Sequence, residues 1–367
     1  MPDLVVVGAG PIGLAVAWRA AQRGLAVTVH DPGPDDSGAW YAAAGILAPV
    51  SEETIGEQEL TSLLVDSAAI WPTFAAELES ATGQDIGYRT EGTLVVALTA
   101  DDQTRVGRLR NYQTTVGLSA HAQTAAELRH HEPSLTPRLR GGAYVAGDRQ
   151  VDPRRLMIAL RAACRSAGVI TVRTRVADLA DLPTARVVVA AGCGSAGLTG
   201  LPLRPVKGQV LRLRSADRRE PCFRHVIRGY ANGSQVYLVP RLNGEVVIGA
   251  TMEERVDNLV TAGAVLELVR AATDLMPELS EYEVAQACVR HRPATPDSAP
   301  VLGPMPGRPG VLVATGHHQN GILLTPLTAD LVVRALTERA PLKRFATFGP
   351  NRFDAPVPQA ASEVTHG

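Results

Sequence analysis

The chain is poor in lysine. Of its 367 residues, 36 are lysine or arginine, and Lys207 and Lys343 are the only lysines. A Schiff-base mechanism requires a lysine amine, so few residues are available for that chemistry. The formal net charge is -1 and no basic stripe stands out, which disfavours nucleic acid as a partner.

Cysteine is scarce as well, with Cys164, Cys193, Cys222 and Cys288 as the four residues of this type. None belongs to a Cys-x-x-Cys pair or lies near a histidine pair with metal-binding spacing, so we expect no metal site. Four scattered cysteines in a chain of this length do not form a disulfide framework. That distribution favours the reducing cytoplasm.

Long apolar runs are also missing. No stretch approaches the about 18 consecutive apolar residues of a membrane-spanning helix. No basic region followed by an apolar run precedes the first strand, so we expect no signal peptide. The length exceeds what one core usually supports, and the composition is that of a globular protein, so we expect two domains.

The first thirty residues follow the pattern of a βαβ unit. Residues 4–7 are typical of a buried parallel strand, residues 12–23 of a helix, and residues 25–30 of a second strand. Between the first strand and the helix stands Gly8-Ala9-Gly10-Pro11-Ile12-Gly13, and Asp31 follows the second strand. This context predicts a dinucleotide site more strongly than the glycine pattern alone would.

Each glycine of this motif has a physical role in such a site. Gly8 permits a tight turn, Gly10 lets the backbone approach a pyrophosphate, and Gly13 lets the helix pack closely on the sheet. The N-terminus of the helix attracts phosphates, and Asp31 would accept hydrogen bonds from ribose hydroxyls. The motif does not distinguish NAD from FAD.

Later segments predict a discontinuous domain arrangement. Residues 186–192 and 310–316 are typical of further strands of the first sheet, and residues 321–336 of a helix. Antiparallel strands are predicted at 208–213, 235–239 and 245–249, with Asn243-Gly244 as a hairpin turn. We expect a dinucleotide-binding domain formed by 1–85, 150–206 and 290–353, a second domain formed by 86–149 and 207–289, and a disordered tail, 354–367.

Several separated segments resemble the D-amino-acid-oxidase-like family of FAD-dependent oxidoreductases, and within it the bacterial glycine oxidases of thiamine biosynthesis. The most specific are Arg292-Pro293-Ala294-Thr295-Pro296-Asp297 and Gly316-His317-His318-Gln319-Asn320-Gly321-Ile322-Leu323-Leu324. The others are the glycine motif with Asp31, and 42–47, 205–209, 237–241 and 249–252. The resemblance implies a Rossmann-like FAD-binding domain (α/β) and a mixed, mainly antiparallel-sheet substrate domain (α+β).

The resemblance also implies a set of FAD contacts. Residues 40–49 are small and apolar enough to lie flat against a flavin ring, and Val176, in an expected strand, would hold the adenine side through its backbone. Backbone N–H groups near Asn320 and Gly321, at the start of the last helix, would stabilise negative charge on the reduced flavin. The implied contacts are Gly8, Gly10, Pro11, Ile12, Gly13, Asp31, Ala43, Ala44, Gly45, Ile46, Val176, His317, His318, Gln319, Asn320, Gly321, Ile322 and Leu323. Relatives that bind FAD covalently use a cysteine before that helix, and this chain has none after Cys288, so FAD should be non-covalent.

The implied substrate site centres on Arg292. A guanidinium holds a carboxylate in a fixed plane through two hydrogen bonds. Tyr237 matches a tyrosine that binds the same carboxylate, and Tyr230 is a weaker prediction for a second lining residue. Gln319 stands where glycine oxidases have a second arginine. Loss of that charge should weaken the binding of a carboxylate, and it leaves the identity of the substrate open.

The resulting prediction is an FAD-dependent oxidase of glycine or a similar small amino acid, such as sarcosine or a small D-amino acid. The flavin carries the chemistry, and the protein orients the substrate. The products would be an imine or 2-oxo acid, ammonia and H₂O₂, in the service of thiamine thiazole synthesis. Two alternatives remain: an amine dehydrogenase that passes electrons to a carrier other than O₂, and a non-catalytic flavin-binding protein. A homo-oligomer, tetrameric by resemblance, is also implied.

Overall fold

The computed structural model describes residues 1–51, 56–184, 186–215, 221–338 and 343–353. The strands are β1 (Leu4–Val7), β2 (Val27–His30), β3 (Ile46–Leu47), β4 (Thr93–Ala97), β5 (His121–Gln123), β6 (Gly141–Val145), β7 (Arg149–Gln150), β8 (Ile170–Val172), β9 (Val187–Val189), β10 (Arg204–Arg214), β11 (Val226–Ala231), β12 (Ser234–Pro240), β13 (Glu245–Gly249), β14 (Glu283–Ala294), β15 (Val301–Pro304) and β16 (Val311–Thr315). The helices are α1 (Pro11–Gln22), α2 (Gln58–Thr82), α3 (Ala100–Thr115), α4 (Ala125–His131), α5 (Pro153–Ser166), α6 (Ser195–Thr199), α7 (Ala262–Leu275), α8 (Thr325–Thr337) and α9 (Lys343–Phe348). The tail for which we expect disorder, 354–367, lies outside the described residues.

The first sheet has six strands in the order β15-β16-β9-β1-β2-β8. All neighbours are parallel except β15 and β16. The central strand β1 is buried along its whole length, because Leu4 and Val6 pack against helices on one face and Val5 and Val7 pack in a second apolar cluster on the other. Helices α1, α2, α5 and α8 pack together beside it around a core that contains Trp18, Trp71 and Phe74. The predicted Rossmann-like unit is confirmed.

The second sheet has eight strands in the order β14-β10-β13-β12-β11-β4-β6-β5. It is antiparallel apart from the β11–β4 pair. The hairpin predicted at Asn243-Gly244 joins β12 and β13, and Gly244 supplies the positive φ of 78°. Helix α7 packs on one face against β10 to β13, and α3 packs against β4 and β6.

Two strands cross the expected domain boundaries. β10 and β14 pair from Arg204↔Ala294 to Arg214↔Glu283, with one register shift between Arg212 and Leu213, so the boundaries at 206/207 and 289/290 both fall inside this ribbon. A sequence pattern that predicts each strand separately cannot show that a domain boundary falls within a long antiparallel strand pair. The division into domains therefore stays a prediction, while Arg292 lies in the eight-stranded sheet.

Two expected elements have different bounds. The helix expected at 321–336, α8, begins at Thr325 rather than at 321, because a 3₁₀ turn, His318–Asn320, precedes it and Pro326 fixes its first turn. Val176 lies in an irregular segment and not in a strand. The parallel pairing of β8 with β2 ends at the pair His30↔Val172, so β8 ends four residues before Val176. Among the described residues, no helix combines the length and apolar character needed to cross a membrane.

Candidate functional site

A cavity of about 1010 Å³ is lined by residues of both sheets. The residues that follow β1, β9 and β16 contribute to it from the six-stranded sheet, and one face of β10 to β14 contributes from the other. Ligands of open parallel sheets bind beyond the carboxyl ends of the strands, so the first set of residues is where a dinucleotide is expected.

The glycine motif turns between β1 and α1, and its three glycines differ in what surrounds them. Gly8 has a φ of 110°, and a Cβ there would meet the carbonyl of Ala190. A Cβ on Gly13 would overlap the carbonyl oxygen of Gly8, whereas a Cβ on Gly10 meets nothing within 4 Å. The fold itself therefore requires Gly8 and Gly13. Gly10 has open cavity above it, and Gly8, Gly10, Pro11 and Ile12 line the cavity while Gly13 does not.

Asp31 connects the glycine turn to the loop after β2. Its Oδ2 accepts the backbone N–H of Ala9 at 2.7 Å, and its Oδ1 accepts that of Gly33 at 2.8 Å. Each carboxylate oxygen has a second lone pair, which leaves capacity for a ribose hydroxyl. Asp31 thus lines the cavity and also fixes the backbone around it.

The small apolar segment 42–46 lies along the cavity, where Ala43, Ala44, Gly45 and Ile46 all contribute to the wall. Its position is fixed by Arg241, whose guanidinium is buried and donates to the carbonyl of Ala44 and, at 3.1 Å, to that of Val151. Burial lowers the pKa of Arg241 to about 10, so it stays cationic at neutral pH.

Val176 lines the cavity from the irregular segment after β8. This placement agrees with the expected backbone contact, although the residue is not in a strand.

The segment 316–323 supplies a further wall, with His317, His318, Gln319, Gly321 and Ile322 lining the cavity. His317 is buried and its Nε2 lies 3.1 Å from Thr328 Oγ1; burial lowers its pKa to about 3. Burial, followed by the charges of Arg292 and Arg204, lowers the pKa of His318 to about 4. Both histidines are therefore neutral at pH 7.

Asn320 and Leu323, both predicted as FAD contacts in this segment, do not line the cavity. The carbonyl of Leu323 accepts hydrogen bonds from Ser67 Oγ at 2.6 Å and Trp71 Nε1 at 2.8 Å, so it anchors α2. Asn320 is buried, and its N–H donates to the carbonyl of His317 at 2.9 Å. That N–H is occupied within the 3₁₀ turn.

Arg292 and Tyr237 lie on the same face of the eight-stranded sheet, and both line the cavity. The guanidinium of Arg292 lies over Gly208, where a Cβ would come within 2.5 Å of Nη1, and Nη1 donates to the carbonyl of Thr251 at 3.3 Å. The ring of Tyr237 lies across Gly249, its partner on the neighbouring strand, where a Cβ would overlap the hydroxyl. The two glycines give these side chains their space.

Tyr230 does not line the cavity. It packs beside Val50 and Val95, and the guanidinium of Arg105 lies 5.7 Å from its ring centroid. The β11–β12 hairpin sets Arg228, and not Tyr230, opposite Tyr237, so the structure does not bring Tyr230 to the cavity beside Tyr237.

The segment 250–261, which brings Met252 and Asn258 to the cavity, is tethered by buried polar groups of β10. Lys207 is completely buried and its Nζ lies 2.7 Å from Asp257 Oδ1; this bond is the main cause of the lowered pKa of Asp257. Gln209 donates to Glu253 Oε1 at 2.7 Å and accepts the N–H of Thr261 at 2.8 Å.

Comparison with known proteins matches a family model described as FAD dependent oxidoreductase to residues 3–335. The chain belongs to this family. Glycine oxidase of Geobacillus kaustophilus (strain HTA426) is 34% identical over 358 residues, covering 92% of this chain and 93% of the relative. The bifunctional protein ThiO/ThiG of Trichormus variabilis is 32% identical over 96% of this chain, which spans 55% of that longer protein. The crystal structure of glycine oxidase from Geobacillus kaustophilus has a TM-score of 0.87 at 33% identity, covering 96% of this chain and 98% of that one.

FAD is the cofactor of this FAD-dependent oxidoreductase. The structure fits it, because the glycine turn, the 42–46 segment and the 316–322 segment line one continuous cavity. Gly10 has no protein atom within 4 Å of its Cβ position.

Arg228 and Arg241 contact or line the cavity region but were not among the site residues predicted from the sequence. Arg228 was detectable: Asn232-Gly233 is itself a hairpin signal, and counting outward from it pairs Ala231 with Ser234 and Arg228 with Tyr237. Asn232 and Gly233 have φ values of 53° and 86°, as such a turn requires. Arg241 lies in the resembling segment 237–241, but its role could not be predicted, because its contacts with Ala44 and Val151 come from residues distant in the chain.

Proposed function

We propose that the protein oxidises a small amino acid and transfers the electrons to O₂, the kind of reaction that the name of its glycine oxidase relatives describes. The observation that carries the proposal is the pairing of Arg292 and Tyr237 on one sheet face inside the FAD cavity. A guanidinium and a phenol hydroxyl form a site for one carboxylate. Bound FAD accepts the two electrons and the hydrogen of the substrate α-carbon.

The residues of this chain orient the substrate. Arg292 binds the carboxylate through charged hydrogen bonds, and Tyr237 donates its O–H to the same group. The charge of Arg292 contributes, after burial, to the lowered pKa of His318, so this ring is neutral and adds no second positive charge beside the anchor. Its neutral ring also has a lone pair that can accept a hydrogen bond from a substrate amine.

The overall reaction converts the amino acid, O₂ and water to a 2-oxo acid, ammonia and H₂O₂. The imine that forms before hydrolysis would serve thiamine thiazole synthesis, a role consistent with the ThiO/ThiG name of several relatives. We further propose that FAD is held without a covalent bond. The cavity thiol of Cys193 supports this, because burial raises its pKa to about 11 and keeps it protonated.

The test combines two measurements. Glycine, sarcosine and D-alanine are each mixed anaerobically with the holoenzyme, and the loss of flavin absorbance at about 450 nm is followed. Bleaching followed by H₂O₂ formation in air supports an oxidase. Bleaching without H₂O₂ supports a dehydrogenase that passes electrons to an acceptor other than O₂. A flavin that stays oxidised with every amine contradicts catalysis.

The carboxylate anchor is tested with Arg292→Ala. We expect kcat/KM to fall about 100-fold or more while FAD stays bound, because charge-assisted hydrogen bonds to the substrate are lost. Arg270→Gln, on the exposed surface of α7, is the matched control for the loss of one positive charge. An unchanged kcat/KM in Arg292→Ala would exclude this arginine as the anchor.

A further inference from the structure

Lys207 is a buried cation that the proposed reaction does not use. Its side chain is completely buried, and lysine is almost never buried to this extent without a partner. Its Nζ lies 2.7 Å from Asp257 Oδ1 and 3.7 Å from Glu253 Oε2, and both carboxylates belong to the segment 250–261. Because a buried charge costs free energy unless it is paired, these contacts fix where the segment can lie.

The first part of this segment extends β13 along β10. Lys207 and Glu253 exchange two backbone hydrogen bonds, of 2.9 and 3.0 Å. Successive side chains of a strand point to opposite faces of the sheet. Gly208 and Met252 accordingly line the cavity on one face, while the side chains of Lys207 and Glu253 meet on the other.

The guanidinium of Arg292 reaches across β10 to this extension. Arg292 lies on β14, opposite Val206 of β10, and its guanidinium stands over Gly208. Its Nη1 donates to the carbonyl of Thr251 at 3.3 Å, on the side of β10 away from β14. The end of the proposed carboxylate anchor is therefore held by a segment that Lys207 fixes from the opposite face.

One carboxylate connects the ammonium group to Thr251. Glu253 Oε1 accepts hydrogen bonds from Thr251 Oγ1 at 2.6 Å and from Gln209 Nε2 at 2.7 Å. Burial acts to raise the pKa of Glu253, but these two hydrogen bonds and the charge of Lys207 outweigh it and lower the pKa, so the group is ionised at neutral pH. Without the ammonium group, two carboxylates, of Glu253 and Asp257, would stand beside an apolar pocket, and the segment would move to hydrate them.

We propose that Lys207 is a positioning residue for substrate binding: it holds the segment 250–261 where the carbonyl of Thr251 fixes the guanidinium of Arg292. The proposal rests on the proposed function, since it takes Arg292 as the carboxylate anchor. A guanidinium that is already ordered loses less conformational freedom when a carboxylate binds. Lys207 is not among the described residues that line the cavity, so its contribution is to binding and not to the chemistry at the flavin.

The test measures the binding of methoxyacetate to the holoenzyme. This ligand is the ether counterpart of sarcosine and carries a carboxylate but no oxidisable amine, so its dissociation constant follows from the perturbed flavin spectrum. Lys207→Met, of similar length and uncharged, should raise this constant about 2- to 10-fold, the range for ordering one flexible side chain. The KM for an oxidised amine should rise by the same factor, while kcat and the dissociation constant of FAD change less than about twofold.

A second variant tests the contact from the side of its partner. Asp257→Asn keeps an oxygen for the ammonium group and removes the negative charge, so it should raise the methoxyacetate constant about 2- to 5-fold. Added to Lys207→Met, it should change the constant less than about 1.5-fold, because two partners of one contact are not additive. Glu254→Ala is the matched control: this carboxylate of the same segment pairs with Arg204 at the surface, where an ion pair contributes little, and binding should be unchanged.

Arg292→Ala, measured with the same ligand, separates this proposal from the proposed function. If it weakens methoxyacetate binding while Lys207→Met and Asp257→Asn do not, the positioning role is overturned and the anchor stands. A loss of FAD affinity as large as the loss of methoxyacetate affinity would show a general structural role and also overturn the proposal. If Lys207→Met does not fold, Asp257→Asn decides the question. If Arg292→Ala binds methoxyacetate as tightly as wild type, the anchor of the proposed function fails as well.

Discussion

The three glycines of the 8–13 motif should separate into two classes when each is replaced by alanine. Gly10→Ala introduces a Cβ that meets no protein atom within 4 Å, at an ordinary φ of -74°. Gly13→Ala introduces one that overlaps the carbonyl of Gly8. We therefore expect Gly10→Ala to impair FAD binding with little effect on the protein itself, and Gly13→Ala to destabilise the protein even without FAD.

The magnitudes follow from these surroundings. Gly10 is the N-cap of α1, where alanine is less favourable than glycine, and the less flexible unfolded chain of the alanine variant offsets part of that loss. The stability of the apoprotein should therefore change by less than about 1 kcal/mol in Gly10→Ala. In Gly13→Ala, overpacking between α1 and the turn should cost about 1–3 kcal/mol. A Cβ where the pyrophosphate approaches Gly10 should weaken FAD binding about 100-fold, which removes about 2.7 kcal/mol of ligand stabilisation at saturation.

The assay is thermal unfolding of each variant at a series of FAD concentrations, with dissociation constants from quenching of flavin fluorescence. The Gly10→Ala and wild-type melting temperatures should converge as FAD is removed and diverge as it is added. The Gly13→Ala melting temperature should stay below wild type throughout. If Gly10→Ala binds FAD as tightly as wild type, the pyrophosphate does not approach this residue. If its apoprotein is less stable than that of Gly13→Ala, the packing argument is refuted.

Two further predictions test the anchor and the buried histidine. Gly208→Ala places a Cβ within 2.5 Å of Arg292 Nη1 and should raise the KM for the amino acid about tenfold without loss of FAD. The control Gly107→Ala, in open space on α3, should leave KM unchanged. Equal KM values in the two variants would show that the observed conformation of Arg292 is not the one that binds the substrate. His317 has a folded-state pKa of about 3, below its value of about 6.5 in the unfolded chain, so the unfolded state takes up a proton first as pH falls and stability is lost below pH 6.5. Between pH 6.5 and pH 5 denaturant unfolding should show wild type losing about 1.6 kcal/mol more than His317→Asn, and parallel profiles would contradict the assignment.

Much of the cofactor region was predictable because it is local in sequence. The βαβ unit, the glycine turn and Asp31 lie within thirty-one residues, and their roles follow from backbone geometry that any such turn must adopt. Lys207 shows the opposite case. Its sequence gives no hint of complete burial, which arises because β13 is followed by a segment that folds back and brings Asp257 to its ammonium group.

The sequence by itself determined the Rossmann-like unit and the family, and it singled out Arg292 as the proposed anchor, since these depend on short motifs whose chemistry is contained in neighbouring residues. Tertiary structure decided which side chains share the substrate cavity. Strand register set Arg228 opposite Tyr237 and moved Tyr230 away, and Gly208 and Gly249 made room for the anchors only because other strands bring Arg292 and Tyr237 over them. The physical reason is that side chains on a sheet meet across strands, so a site built there depends on pairing between distant segments.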